Sequence, residues 1–235
     1  SSDVSRSYDD FMNGTVVSMY LNTQRVELAK KKGDFEKYAF VNDVGRITFL
    51  FWFNIHRQTY ANMADGAGAS RKTEAEKALS CAALQNKHFR LAIGHAIDRG
   101  AYVSQNVGED LSLQSVRNSI TPGTYVNLEE DVTIDINGTA TTFPKGTWYG
   151  AIVQAQLDAD NFGLQIWDAE NLTNDGWDAW YNPAKAMEEL QIAIEELKAA
   201  GYEVSKENPI VMDYPYPSYN EVGQNQCYVL KTCIE

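Results

Sequence analysis

The period of the apolar positions changes along the chain, and each change predicts an element. A short helical piece over residues 8–13 is closed by Gly14. The β-branched and aromatic run Thr15-Val16-Val17-Ser18-Met19-Tyr20-Leu21 then predicts a strand. A helix over 23–32 stops at Gly33, and residues 38–42 predict a second strand. Ile47-Thr48-Phe49-Leu50-Phe51-Trp52-Phe53 is apolar on both of its faces, the pattern of a central strand covered on each side. After a Gly/Ala-rich loop at 65–70, Thr73 and Glu76 form a capping box for a helix over 74–85. Phe89, Ala92, Ile93, Ala96 and Ile97 recur at i, i+3, i+4, i+7 and i+8, which predicts a further helix with one buried face.

From 107 to 181 the pattern is irregular. Residues 132–142, turning at Asn137-Gly138, predict a small hairpin insertion, and residues 148–177 an extended surface excursion. Regularity returns with the cap signal Asn182-Pro183, and Met187, Leu190, Ile194 and Leu197 predict the buried stripe of a helix closed by Gly201. Residues 209–213 predict a strand. Ser218 to Glu221 predict a second capping box, opening a helix with Val222, Val229, Leu230 and Cys233 inward. Strand, helix and strand in succession predict an α/β layered sheet with flanking helices. A last helix with no returning strand suggests a piece of something longer.

Charge narrows the function classes. Thirty-two acidic against 20 basic residues give a formal charge of −12, and no basic run exceeds Lys30-Lys31-Lys32, so binding to a phosphate backbone is disfavoured. At 235 residues and 44% apolar content the chain can bury a core, yet no apolar span approaches the roughly 18 residues that a membrane helix needs. Three cysteines, Cys81, Cys227 and Cys233, are too few for a disulfide scaffold and read as core thiols.

Catalytic templates fail. The sequence has no His-Glu-x-x-His, no phosphate-binding Gly-rich loop and no Gly-x-Ser-x-Gly. His88 and His95 fall two turns apart on one predicted helix, more than about 10 Å, too far for a shared metal. With His56 they read as structural or solvent-facing, and neither a metal nor a cofactor is expected. Paired cleft carboxylates stay open, because 32 acids make chance pairs easy. Tyr214-Pro215-Tyr216-Pro217-Ser218-Tyr219 differs in kind. It joins a predicted strand end to a helix start, where open α/β sheets form ligand crevices, and its rings offer rigid contact area. The same loop also reads as a stiff Pro-rich turn with its rings on the surface. Trp177 and Trp180 read as local packing.

Four stretches carry a resemblance. Residues 86–99, ending Ala96-Ile97-Asp98-Arg99, are similar to a characteristic helix of the family 5 extracellular solute-binding proteins. Tyr181-Asn182-Pro183-Ala184-Lys185-Ala186 with Ala200-Gly201-Tyr202 resembles the next helix of that family, and Pro209 to Asp213 the strand after it. Phe53 to Tyr60, with the charged helix before Asp98-Arg99, looks most like the Gram-positive, streptococcal-type oligopeptide-binding lipoproteins.

The resemblance implies a two-lobed, periplasmic-binding-protein-like clamp that captures oligopeptides outside the cell for the permease of an ABC importer. Residues 1–235 would be a single α/β lobe, part of the C-terminal lobe, in a protein lipid-anchored at the extracellular face of the membrane. It implies no catalysis. The ligand would be an oligopeptide, with a non-peptide solute or a peptide pheromone as alternatives within the fold and a cleft-carboxylate hydrolase as the alternative outside it. By position, Asn54, Tyr214, Tyr216, Ser218, Tyr219, Asn220 and Glu221 would face ligand, while Asp98 and Arg99 would hold a helix end.

Overall fold

The computed structural model describes residues 4–40, 48–61, 69–216 and 219–235. In chain order these carry α1 (Val4–Met12), α2 (Thr23–Lys32), α3 (Phe35–Tyr38), α4 (Glu74–Gln85), α5 (Lys87–Ala96), α6 (Arg99–Val107), α7 (Glu109–Ser112), the strands β1 (Val132–Ile136) and β2 (Thr139–Phe143), α8 (Tyr149–Ala159), α9 (Pro183–Ala199) and α10 (Glu221–Ile234). They sort into two compact units, Ser1–Thr48 with Arg99–Ala179, and Phe49–Asp98 with Trp180–Glu235.

In the first unit the start of α2 is fixed by Asn22, whose side chain accepts from the Arg25 amide at 3.0 Å. Its end is fixed by Gly33 at φ 75°, a left-handed conformation that a side chain would strain. β1 and β2 pair antiparallel from Val132↔Phe143 to Ile136↔Thr139, turning at Asn137-Gly138 as the sequence predicts. The stretch 148–177 is not a surface excursion. It contains α8 and the buried side chains Leu164, Ile166 and Trp167. The buried Gln154 on α8 accepts from the Ile166 and Trp167 amides at 2.7 and 3.2 Å and donates to the Leu164 carbonyl at 3.0 Å, pairing backbone that has no strand beside it. Trp167 lies against Gly123 and Gly150, where a side chain would overlap the indole. Packing of a ring on glycine backbone leaves no apolar periodicity to read.

The predicted layered sheet is corrected as well. Among the described residues the β1–β2 hairpin is the whole of the sheet, so the architecture is mixed helix and strand with one small sheet. Residues 15–21, 48–53 and 209–213 enter no strand, and Tyr38 ends α3. Residues 41, 42 and 47 lie outside the described residues. Far from being covered on both faces, Phe49 is 94% and Trp52 81% exposed. Alternation and β-branching describe what a segment's own side chains prefer, whereas a strand exists only with a partner across the ladder.

The second unit is helical. Thr73 and Glu76 close the predicted capping box on α4, with the Thr73 amide 2.6 Å from Glu76 Oε2. Asn86 ends α4 and also caps α5, accepting from the Phe89 amide at 3.0 Å. α5 packs on α9 through Phe89, Ala92 and Ile93. The buried face of α9 is Ala186, Glu189, Ala193 and Leu197, rotated from the predicted stripe, and Met187 is exposed. Two alanines let α5 come close, and the buried Glu189 is tolerated because His88 and Lys185 pair with it. α10 is capped by Asn220, which accepts from the Val222 amide at 3.0 Å, and the Ser218 of the predicted box lies outside the described residues. Leu230 is buried, whereas Val222, Val229 and Cys233 are half-buried. Cys81, Cys227 and Cys233 are free and half-buried, not core thiols: α10 buries only Gly223 and Leu230, so the face that carries Cys227 stays partly open.

Candidate functional site

The second unit brings together the two segments that hold the predicted site residues. The Phe51 and Tyr214 rings meet at 6.3 Å between centroids, tilted by 56°. Arg57 Nη1 donates to Asp213 Oδ2 at 2.5 Å, a contact across 156 residues of sequence. Asn54 is exposed on the turn between Phe51 and Arg57, where Gln85 Nε2 donates to the Ile55 carbonyl at 3.2 Å. Tyr214 and Tyr216 are partly exposed, and Tyr219 is 93% exposed. The Asn220 side chain is engaged in capping α10, with the exposed Glu221 beside it in the first turn. Ser218 lies outside the described residues.

Sequence reasoning missed the ionic cluster under this loop. Asp213 Oδ2 is also 3.8 Å from Nζ of Lys72, whose side chain is only 4% exposed. Lys72 Nζ donates to Ser80 Oγ at 2.9 Å, and Ser80 Oγ in turn lies 3.0 Å from the Val211 carbonyl and 2.7 Å from that of Glu76. The Arg57 guanidinium is held by its Nε donating to the Thr59 carbonyl at 3.0 Å and by the Tyr60 ring 4.1 Å from Cζ. Burial alone would lift the Asp213 carboxyl, but hydrogen bonds from Ser70 and Arg57, with the charges of Lys72 and Arg57, outweigh it and hold the carboxyl below its ordinary value. Burial pushes the Lys72 amine down, Arg57 adds to this, and Asp213 opposes both. Nothing in the spacing of 57, 72 and 213 signals the cluster; only the fold makes them neighbours.

The arrangement suits binding and positioning better than bond-breaking. Ser80 beside Lys72 has the composition of a nucleophile and base, but Ser80 is 1% exposed and its hydroxyl is directed to backbone carbonyls. Asp213, the acid nearest the aromatic loop, is met by two cations rather than by a second carboxyl. His88 Nδ1 is 2.6 Å from Glu189 Oε2, and the buried His95 donates from Nδ1 to the Trp180 carbonyl at 2.7 Å, so both serve the helix packing. His56 is exposed. Trp180 lies over Gly94 and near the His95 ring, as local packing. Among the described residues, no group of three His, Cys, Asp or Glu could hold a metal ion, and no helix is long and apolar enough to cross a membrane.

In the first unit Arg99 holds the start of α6. Its amide and Nε donate to Asp178 at 2.9 and 2.8 Å, its Nη1 to the Arg117 carbonyl and its Nη2 to Asn118 Oδ1, each at 2.6 Å. The expected role was at the end of the preceding helix, which stops at Ala96; Arg99 instead opens the next one.

No family model matches the chain. Curated proteins do. The chain is 27% identical over 221 residues to the oligopeptide-binding protein AliB of Streptococcus pneumoniae, an alignment that covers 94% of this chain and 29% of that protein. With the oligopeptide-binding protein SarA of Streptococcus gordonii the identity is 26% over 233 residues, 99% of this chain and 31% of the relative. The chain is a homologue of the oligopeptide-binding proteins. With the oligopeptide-binding protein AmiA of Streptococcus pneumoniae the identity is 33% over 162 residues, 69% of this chain and 20% of the relative. The chain thus spans less than a third of the length of these oligopeptide-binding relatives. All three are named as binding proteins, not as enzymes.

Proposed function

We propose that the protein to which this chain belongs is the substrate-binding component of an ABC importer, taking oligopeptides outside the cell and passing them to a membrane permease. The observation that carries this reading is the similarity to AliB and SarA across nearly the whole chain. Residues 1–235 act as a single lobe of a two-lobed clamp in a protein lipid-anchored at the extracellular face. The stretches at 15–21, 48–53 and 209–213, rich in strand-forming residues yet outside any strand, fit a lobe whose remaining strands lie in the rest of the full-length protein. Asn54, Tyr214, Tyr216, Ser218, Tyr219, Asn220 and Glu221 face the ligand in this reading, with the rings supplying contact area at low entropic cost.

Closure of one lobe on another buries a ligand that either alone leaves half in water, so affinity needs both. Calorimetry with mixed tri- to hexapeptides is therefore expected to give saturable heat with the full-length protein and none with residues 1–235. A full-length protein that gives no saturable heat refutes the reading.

A further inference from the structure

We infer that Asp213 is the positioning residue of the Tyr214 loop, its carboxylate tying three segments together one residue before the ring that meets Phe51. This rests on the reading of residues 214–221 as ligand-facing.

Three features single out this carboxylate. Arg57, from the segment that carries Asn54, and Lys72, from the approach to α4, converge on the same oxygen at 2.5 and 3.8 Å. Both cations are set in place by other groups: Arg57 by the Thr59 carbonyl and the Tyr60 ring, Lys72 by Ser80. The receptor for the carboxylate is thus preformed, and the chain that supplies it has little freedom in where it docks. Ser80 also reaches the Val211 carbonyl two residues before Asp213, so the run into the loop is pinned at two points on α4 and its approach. Tyr214 follows immediately, one residue from the anchor, and its ring meets Phe51.

An alternative is that the cluster only stabilises the second unit, and the two roles separate experimentally. Asp213→Asn keeps size and shape but leaves Arg57 and the nearly buried Lys72 without their shared counter-charge. Adding Lys72→Met removes the stranded charge and restores folding without restoring the anchor. In residues 1–235, the contact between the Phe51 and Tyr214 rings, read as a nuclear Overhauser effect between them, is expected to be lost in Asp213→Asn and in the double variant, with hydrogen exchange in α5 and α9 unchanged in the double variant. Asp213→Glu, which keeps the charge, is expected to recover part of that contact. The pH profile provides a further signature. Lys72 is faced by Asp213, Arg57 and Glu76 as its charged neighbours and by Ser80. Without the Asp213 charge its amine gives up its proton more readily, which relieves the stranded charge, so the stability deficit of Asp213→Asn against the double variant is expected to narrow as pH rises into the alkaline range.

In the full-length protein the double variant is expected to bind the peptide mixture roughly tenfold or more weakly than wild type. An unchanged Phe51–Tyr214 contact in the double variant, or wild-type peptide affinity, overturns the inference. A wild-type full-length protein that binds no peptide refutes the functional reading instead, and the ring contact still decides whether Asp213 positions the loop.

Discussion

Replacing Gly150 by alanine gives the sharpest test of the packing in the first unit. A Cβ there stands 2.5 Å from Trp167 Cζ3 and closer still to Cε3, where carbon atoms rest at about 3.5–4.0 Å, so the two groups must part by about 1 Å or more. Neither yields easily. The Trp167 amide is bonded to Gln154, the indole is 6% exposed, and the Gly150 amide donates to the Gly123 carbonyl at 3.0 Å. The same edge of the ring also lies against Gly123, where a Cβ would stand 2.6 Å from Trp167 Cζ3. Overpacking of this kind costs about 1–3 kcal/mol, while alanine returns up to about 1 kcal/mol of helix propensity in α8. The net expectation is a loss of about 1–2 kcal/mol, read as a lower urea midpoint for the transition that reports Trp167. Gly94→Ala is the matched control. Its Cβ meets Trp180 at 3.4 Å, an ordinary contact, in the last turn of α5, so it is expected to be neutral or to stabilise by up to about 1 kcal/mol. The reasoning fails if Gly150→Ala is as stable as wild type, or if the two substitutions cost the same.

Two further substitutions probe the buried charges. Arg99→Ala removes a cation paired with Asp178, whose side chain is 9% exposed, together with its bonds to the Arg117 carbonyl and Asn118, and is expected to destabilise the first unit by about 3–5 kcal/mol in urea denaturation. Arg99→Lys is expected to recover only part of this, because an ammonium cannot reach Asp178, Arg117 and Asn118 at once. Burial alone would raise the Glu189 carboxyl, but His88 and Lys185 hold it below its ordinary 4.5. A depressed carboxyl contributes stability that is complete above the unfolded value and lost as pH falls through the folded one. The stability gap between wild type and Glu189→Gln is therefore expected to be open at neutral pH and to close progressively below about pH 4.5; a gap that persists undiminished into acid contradicts the pairing.

How much was legible in advance follows the range of the interactions. Helices announce themselves locally: the Thr73 and Asn182 caps and the stop at Gly33 sit within a few residues of what they bond, and α2, α4 and α9 fall where those signals place them. The burial of a helix face is less local. Met187 is apolar and on the expected stripe, yet close approach of α5 to Ala186 and Ala193 turned α9 away from it. Strand pairing and ring-on-glycine contacts are the least local, which is why residues 148–177 read as surface and 48–53 as core. At the candidate site the rings were visible as a cluster in sequence. Arg57, Lys72 and Asp213 were not, since no spacing rule connects a lysine before α4 to an aspartate 141 residues later (213 − 72).

The exposed rings of Phe49 and Trp52 are expected to govern how this chain behaves at high concentration. Phe49 and Trp52 stand out in water on a backbone that enters no strand, a ready template for pairing with the same segment of another molecule. Opposing this is mutual repulsion from a formal charge of −12, which reaches only about 10 Å at 0.1 M salt and about 3 Å at 1 M. The colloidal stability of residues 1–235 is thus tied to ionic strength: dilute buffer keeps the molecules apart, and salt lets the aromatic segments find each other.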